Sequence, residues 1–320
     1  MAEHPSVSIV MPVRDESDHI DAALDAALAQ DYEGPLEVVV ADGGSTDGTF
    51  GVVERRAASD SRLTLVDNPD GHAASGLNRA IAASTGDVIV RCDGHAELSP
   101  SYVRTAVRVL EETGAANVGG RQAAVGDRPL QRAIATAMTS PLGVGNSRFH
   151  YSQTAGPVDT VYLGAFRRSA IESVGGFDES LIRNQDYELN HRLATSGQVV
   201  WFDPRLEVTY RPRSSLGGLW RQYFSYGAWK RRMLSRSPGA LKVRQLAPPL
   251  LVIALLLSIG LLAAGRPIGW LAPAGYGVFL VGGTAVEALR HRPGAMLLAP
   301  ALVVMHIGWG LGFLVGRARA

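Results

Sequence analysis

Apolar positions come in short, punctuated runs over the first two thirds of the chain and in long, nearly unbroken runs over the last third. Residues 7–13 predict a buried strand that ends at Pro12 and the polar group Arg14-Asp15-Glu16. Ser17 or Asp18 is placed to cap a helix carrying Ile20, Ala23, Leu24, Ala27 and Leu28 at helical spacing. Residues 36–41 predict a second strand running into Asp42-Gly43-Gly44-Ser45-Thr46-Asp47-Gly48-Thr49, with a helix over 49–57. A strand over 62–66, a helix over 73–83 and a strand over 88–90 follow. Further on the pattern predicts a helix over 101–112, a strand over 116–124 and a helix over 129–140. That last helix is made of small apolar residues and is suited to lie along a surface or membrane. Residues 141–154, rich in Gly, Ser and Asn, read as a flexible loop. A strand over 161–166, a short helix opened by Ile171 and ended by Gly175-Gly176, a helix over 186–196 and strands over 199–202 and 206–210 complete this part.

Strands alternating with helices predict an α/β fold, with a mostly parallel central sheet flanked by helices on both faces. Short crossovers are right-handed and keep successive strands near each other. The Gly and Asp clusters all follow strands, so they gather at the carboxyl edge, where open α/β sheets bind ligands.

The last third predicts carboxyl-terminal transmembrane helices over 246–264, 268–288 and 295–316. Each is near the roughly 20 residues needed to cross a bilayer. Glu287 and His306 interrupt them, and Gly265-Arg266-Pro267 and Arg290-His291-Arg292-Pro293 separate them. Lys230, Arg231, Arg232, Arg236, Lys242 and Arg244 crowd the entrance, which places that flank in the cytoplasm. A third crossing puts Arg317 and Arg319 outside, against the same rule, so a half-inserted third segment stays open. The expected domains are 1–213, catalytic; 214–245, basic, aromatic and interfacial; and 246–320, membrane. Apolar helix surface offers contact either to the lipid bilayer or to another subunit in a homo-oligomer.

Composition adds little. A formal net charge of +1 over 320 residues gives no electrostatic case for nucleic acid. One cysteine, Cys92, excludes an intrachain disulfide and fits a reducing compartment; it reads as a small buried residue. The start, Met1-Ala2-Glu3-His4-Pro5, has no basic run before an apolar core, so no cleaved signal peptide is expected.

The stretch Val88-Ile89-Val90-Arg91-Cys92-Asp93-Gly94-His95 organises the candidate chemistry. If the backbone bends at Gly94, Asp93 and His95 can both address a divalent cation, and the cation a diphosphate. An ordinary Asp-Gly turn is the alternative. Asp42 ends the second strand, where its carboxylate can accept protons from a base or ribose. Ser45 and Asp47 read equally as helix caps. No Walker lysine and no dinucleotide glycine spacing is present in that stretch. Arg14 with Asp15 or Glu16, Asp42 and Asp93 should line one crevice, and so many carboxylates are costly there without a cation. Arg79 either contacts the ligand or is a solvated helix arginine. In Asn184-Gln185-Asp186-Tyr187-Glu188, Asp186 is either a helix cap or a base held over the crevice, and Glu188 faces elsewhere. Residues 220–230 mix aromatics and cations as an interfacial helix does. Gln185, Arg211, Gln222, Tyr226, Trp229 and Lys230 are candidate contacts to an acceptor or a diphosphate.

These pieces carry a resemblance in their order and spacing. They are Ser8-Ile9-Val10-Met11-Pro12-Val13-Arg14-Asp15-Glu16, the Asp42 to Thr49 stretch, Asn68-Pro69, Asp93-Gly94-His95, Gly175-Gly176-Phe177-Asp178 and Asp186-Tyr187-Glu188. Trp201-Phe202-Asp203-Pro204 and Tyr210-Arg211-Pro212-Arg213 extend them. The chain resembles inverting family 2 glycosyltransferases with the GT-A fold, and among them the membrane-bound succinoglycan-biosynthesis ExoA type. The resemblance implies donor contacts from Pro12, Arg14, Glu16, Asp42, Ser45, Arg79 and Asp93. It implies Mn²⁺ or Mg²⁺ at Asp93 and His95, the histidine replacing a more usual second aspartate, and Asp186 as catalytic base. Gln185 stands where a glutamate often precedes that base. The Gln-x-x-Arg-Trp motif of processive synthases is absent in strict form; Gln222-Tyr223-Phe224-Ser225-Tyr226 occupies its place. The implied reaction moves a single sugar from a nucleotide diphosphate sugar, by default a UDP-sugar. The implied acceptor is a polyprenyl-diphosphate-linked or other lipid-linked saccharide at a bacterial inner membrane, with the catalytic domain in the cytoplasm. Alternatives are a polyprenyl-monophosphate sugar synthase, a processive polysaccharide synthase and a non-catalytic membrane-anchored nucleotide-binding scaffold.

Overall fold

The computed structural model describes residues 4–317, apart from 146, 236–238, 240, 291 and 293. Arg236, His291, Pro293, Arg319 and the Met1-Ala2-Glu3 start therefore lie outside the described residues. The chain divides into two compact units, residues 1–123 with 152–210, and residues 124–151 with 211–320.

The first unit begins with β1 (Val7–Val13), α1 (Ile20–Leu28), β2 (Leu36–Asp42), α2 (Thr49–Ser59), β3 (Leu63–Asp67), α3 (Ala73–Ala83) and β4 (Val88–Arg91). It continues with β5 (Glu97–Leu98), α4 (Tyr102–Thr113) and β6 (Asn117–Ala124). Between β6 and the next strand the chain makes α5 (Pro129–Met138) and α6 (Pro141–Val144), which belong to the second unit. The remaining elements of the first unit are β7 (Gly156–Pro157), β8 (Tyr162–Arg167), α7 (Arg168–Ser173), α8 (Gln185–Thr195) and β9 (Val200–Tyr210).

Among the described residues these strands form one sheet in the order β3-β2-β1-β4-β8-β6-β9-β5, with β7 on β9. β1 pairs in parallel with both β2 and β4, and β2 in parallel with β3. β8 is antiparallel to β4 and to β6. The chain steps outward from β1 to β3 and returns to the other side of β1 for β4, which makes the β1/β4 boundary the switch point. Val7, Ile9, Met11, Val38, Val40, Val88, Val90 and Cys92 share one buried cluster with Ile20, Leu24, Tyr102 and Val103 of α1 and α4. On the other face Gly76 of α3 comes so close to Pro12 and Ala41 that an added Cβ would lie 3.1 Å from the proline Cβ. Strands covered on both faces read as continuous apolar runs, which is why β1, β2 and β4 stand out in the sequence.

Some boundaries differ from expectation. Neither Ser17 nor Asp18 caps α1; its N-cap is His19, with no side-chain cap bond. Helix α7 begins at Arg168, before Ile171. The two strands expected over 199–210 are one, β9, with Pro204 inside it. The proline is tolerated because it lies between the stretch paired with β7 and the stretch paired with β5. There the Asp203 carboxylate takes the Arg205 backbone N–H at 2.9 Å. The 141–154 stretch is not a plain loop: it contains α6, capped by Ser140, and a 3₁₀ turn over Arg148–His150.

The second unit adds α9 (Leu216–Leu234), α10 (Ala247–Ala263), α11 (Leu271–Leu289) and α12 (Leu298–Val315) to α5 and α6. With their leading turns, the last three give spans Val243–Ala263, Pro267–Leu289 and Ala295–Val315, of 21, 23 and 21 residues, long and apolar enough to cross a membrane. Helix α9 lies along α12, and the contact is made by glycines. A Cβ on Gly312 would collide with the Phe224 carbonyl, one on Gly227 with the Trp309 carbonyl, and one on Gly316 would sit 2.7 Å from Ala228. Gly308, Gly312 and Gly316 recur every fourth residue, the small-residue spacing that lets apolar helices approach closely. Arg231 donates to the Leu314 carbonyl at 2.7 Å, placing a cation on the α12 carboxyl end.

Residues 124–151, expected within the first domain, cluster with these helices. Ser140 donates to the buried Glu287 at 2.8 Å, Arg292 reaches the Thr139 hydroxyl at 2.5 Å, and His306 contacts the Leu142 carbonyl at 2.9 Å.

Candidate active site

The carboxyl ends of β1, β2 and β4 carry the expected residues, and their loops are laced together. After β1 the backbone turns through Asp15, whose φ of 53° is tolerable for aspartate. The Asp15 N–H donates to Ser45 Oγ at 3.0 Å and its carboxylate accepts the Thr46 N–H at 2.8 Å. Thr49 Oγ1 accepts the Glu16 N–H at 2.8 Å, and Asp47 accepts the Ser17 N–H at 2.9 Å. Asp47 also accepts from Thr49 N and Oγ1, so it is a structural residue at the start of α2, whose formal N-cap is Gly48. Ser45 likewise supports a neighbouring loop.

Asp42 ends β2, nearly fully buried. Its Oδ2 accepts the Gly44 and Ser45 N–H groups, both at 3.0 Å, while its buried Oδ1 has no hydrogen-bond partner among the described residues. A buried acceptor left without a donor is expensive, and a ligand N–H or O–H would relieve it. Arg14 reaches the Gly71 carbonyl at 3.4 Å, and Arg79 pairs with Asp70 at 3.0 Å near the surface. Pro12 sits in β1 opposite Ala41.

At the switch point His95 Nδ1 lies 2.7 Å from Glu16 Oε1, which joins the β4 loop to the β1 loop. Gly94 is needed for close approach rather than for an unusual φ: a Cβ there would lie 2.9 Å from Val13 and 3.2 Å from Glu16. Helix α8 begins at Gln185, after the N-cap residue Asn184, held at φ 65°. Asp186 does not cap it; its carboxylate turns to the guanidinium of Arg91. Glu188 is buried elsewhere on the helix and pairs with Arg192 at 2.6 Å, and Gln185 is buried beside the helix start.

Arg91 is the residue that the sequence reading missed. Its neighbours Val90 and Cys92 belong to the main core, so alternation turns Arg91 to the opposite face. It is buried, and it holds Asp93 Oδ1 through Nε at 3.2 Å and Nη2 at 2.8 Å and Asp186 Oδ1 through Nη1. A charge inside an apolar run, two residues before an aspartate, was the available signal, because a buried arginine needs carboxylate partners. Burial works against the Arg91 charge, but Asp186 and Asp93 outweigh it and keep the guanidinium protonated. Burial also opposes charge on Asp93, yet Arg91 and then His95 hold that carboxyl below the usual carboxylate range. For Asp186, burial and then the nearby Asp93 charge win over Arg91 and push its carboxyl up. The two neighbouring carboxylates are thus shifted apart, Asp93 toward the ionised form and Asp186 toward the protonated one. The Cys92 thiol is buried and pushed up by desolvation, which suits a packing residue.

The chain matches the glycosyl transferase family 2 model over residues 8–175. It is 33% identical to the succinoglycan biosynthesis protein ExoA of Rhizobium meliloti over 95% of this chain and 93% of that one. The chain belongs to glycosyl transferase family 2. This family 2 glycosyltransferase is also 26% identical over 72% of its length, and 74% of the relative's, to a Methanococcus voltae protein. That relative is a dolichyl N-acetyl-α-D-glucosaminyl phosphate 3-β-D-2,3-diacetamido-2,3-dideoxy-β-D-glucuronosyltransferase. Its fold is similar to that of mannosyltransferase PcManGT from Pyrobaculum calidifontis, solved with GDP-Man and Mn²⁺. The TM-score is 0.65 at 22% identity, covering 96% of this chain and 88% of that one. Members of the family act on nucleotide-sugar donors in polysaccharide and glycoconjugate biosynthesis, and the chain carries the GT-A-like α/β fold followed by helices able to span a membrane.

Among the described residues, no three carboxylate, imidazole or thiol groups gather as a cation site. Asp93 and His95 fit a cation completed by the ligand: one carboxylate oxygen outside the Arg91 contact and one imidazole, with diphosphate oxygens supplying the rest. Mg²⁺ and Mn²⁺ are commonly held this way, by few protein groups plus substrate phosphates. The other expected contacts lie in the second unit. Arg211 pairs with Asp127 at 3.1 Å, Gln222 donates to Tyr226 at 2.9 Å, Arg232 lies 5.2 Å over the buried Trp229 ring, and Lys230 is buried within α9.

Proposed function

We propose that the protein transfers a single sugar, with inversion, from a nucleotide diphosphate sugar to a saccharide or lipid acceptor held in the membrane. The observation that carries this reading is the placement of Asp186, which the Arg91 guanidinium holds together with Asp93 at the carboxyl edge of the β1/β4 switch point. Asp186 takes the proton of the acceptor hydroxyl, whose oxygen forms a bond to the anomeric carbon as the bond to the diphosphate breaks. The attacking oxygen and the leaving diphosphate lie on opposite faces, so the configuration inverts. A divalent cation bound at Asp93 and His95 would supply charge neutralisation for the leaving diphosphate. Asp42 accepts from the nucleoside through its open oxygen, and the loops of Arg14 to Glu16 and Ser45 shape the pocket.

Support for a lipid-borne acceptor comes from the apolar spans and from the dolichyl-linked substrate in the name of the Methanococcus relative. The basic flank of Lys230, Arg231, Arg232, Lys242 and Arg244 supports a cytoplasmic catalytic unit, and the ExoA relative supports a role in exopolysaccharide assembly. PcManGT was solved with GDP-Man, and S. aureus TarS, of similar fold, with UDP, so both nucleotide classes enter the test. The experiment supplies the protein in nanodiscs with UDP- and GDP-sugars, a membrane lipid extract and Mn²⁺. It follows nucleoside diphosphate release together with sugar incorporation into lipid. Transfer from one donor, abolished by EDTA and restored by Mn²⁺, is expected. Nucleotide binding without transfer to any acceptor would favour the scaffold alternative.

A further inference from the structure

We propose that Arg91 is a positioning residue of this reaction: one guanidinium sets the cation-side carboxylate of Asp93 and the base carboxylate of Asp186 in a single register. The inference rests on the reading of Asp93 and Asp186 given above, and assigns Arg91 a role exerted through those two carboxylates.

The geometry is a clamp. Nε and Nη2 of Arg91 converge on Asp93 Oδ1 at 3.2 and 2.8 Å, and Nη1 holds Asp186 Oδ1. The arginine thus takes Oδ1 of each carboxylate, leaving Oδ2 of each to turn to other partners. Asp93 is on the loop after β4 and Asp186 is near the start of α8, a sequence separation of 93 residues. Among the described residues no backbone hydrogen bond ties α8 to the end of β4. The guanidinium itself is fixed: its side chain is 6% exposed, and its backbone sits in β4 opposite Val10 of β1. A planar fork anchored in a central strand transmits the rigidity of the sheet to one group on the loop after that strand and one in the first turn of a helix.

Stability alone does not account for such a residue. Well-packed apolar side chains stabilise an interior at least as well as a buried ion triad, and the triad costs desolvation of three charges. What the fork provides is direction, which a lysine ammonium, a single point of charge, does not reproduce. Misplacement of a reacting group by about 1 Å lowers rates on the order of 100-fold. Loss of a group that orients a metal ligand typically lowers metal affinity about 10- to 100-fold.

The test uses the full chain in nanodiscs and reads two quantities: Mn²⁺ affinity in the presence of UDP or GDP, by the electron paramagnetic resonance signal of free Mn²⁺, and transfer turnover at saturating donor. Arg91→Lys is compared with wild type in three backgrounds: native, Asp93→Asn and Asp186→Asn. In the native background Mn²⁺–nucleotide affinity falls about 10- to 100-fold and turnover at saturation falls about 100-fold. In Asp93→Asn the effect on affinity shrinks to less than about twofold, and in Asp186→Asn the effect on residual turnover does the same, because the partner through which Arg91 acts is gone. Losses of equal size in all three backgrounds, or wild-type values in Arg91→Lys, overturn the proposal. Should Arg91→Lys not fold, Arg91→Met with Asp186→Asn is read against Asp186→Asn alone. Loss of Mn²⁺–nucleotide affinity there supports the clamp, and unchanged affinity overturns it. Failure of the wild type to bind Mn²⁺ with either nucleotide, or binding indifferent to Asp93→Asn, removes the donor reading itself; intact, Asp93-dependent binding with additive Arg91 effects removes only the clamp.

Discussion

Asp42 shows how much one side chain can say about a ligand. One of its oxygens is committed to the Gly44 and Ser45 amides and the other is buried with no donor among the described residues. Asp42→Ala should lower affinity for UDP or GDP about 10- to 100-fold, the size of a lost hydrogen bond to a charged group. Isothermal calorimetry reads this directly, and unchanged affinity for both nucleotides would remove Asp42 from the pocket. The type and position of Asp42, Asp93, His95 and Asp186 were legible because each follows a strand or opens a helix, and a carboxylate there is visible in one dimension. The pairing of Glu16 with His95 and the grip of Arg91 on two aspartates were not. They depend on which strand neighbours which, and β4 lands beside β1 only after the chain has passed through β2 and β3.

Elements are joined by polar side chains as well as by apolar packing. Glu37 of β2 accepts from Ser8 Oγ at 2.7 Å, Thr85 N at 2.6 Å and Thr85 Oγ1 at 2.9 Å, tying β2 to β1 and to the turn before β4. Burial opposes its charge, but these hydrogen bonds outweigh burial and hold its carboxyl below the usual glutamate range. A depressed folded pKa adds stability above the unfolded value, and that stability is lost as pH falls through the folded value. Glu37→Gln should therefore lower the unfolding temperature at neutral pH, with the gap from wild type closing as pH drops below the ordinary glutamate range. A gap that stays constant across that window would mean the carboxylate charge contributes nothing. In the second unit the α9–α12 contact has no room at Gly312, so Gly312→Val should cost about 1–3 kcal/mol by overpacking. Gly260→Val, on open α10 surface, serves as the control. Equal unfolding midpoints in detergent for the two variants would contradict the close α9–α12 approach. The glycine spacing was present in the sequence, but a run that is apolar all round does not announce which face meets a neighbour.

At the scale of the molecule, the chain leaves the first unit twice for the second, once through residues 124–151 and once after Tyr210. The later departure was legible, because composition changes sharply there. The earlier was not. Its partners Glu287, Arg292 and His306 lie about 150 residues further along, and Ala133, Ile134 and Ala137 would suit a soluble core equally well. The resulting protein joins a nucleotide-sugar fold of family 2 to helices long and apolar enough to cross a bilayer, which suits the lipid-borne acceptor proposed above. The proposed reaction depends on Asp186 as the group that takes the acceptor proton. Its most direct test is single-turnover transfer by Asp186→Asn against wild type, with saturating donor and Mn²⁺ and with donor affinity measured on the same samples. The expected rate is lower by about 100- to 10,000-fold, the range for loss of a general base, with donor affinity within a few fold of wild type. Transfer at the wild-type rate with donor still bound would contradict it, and would point instead to an acceptor that is already ionised, such as a lipid phosphate.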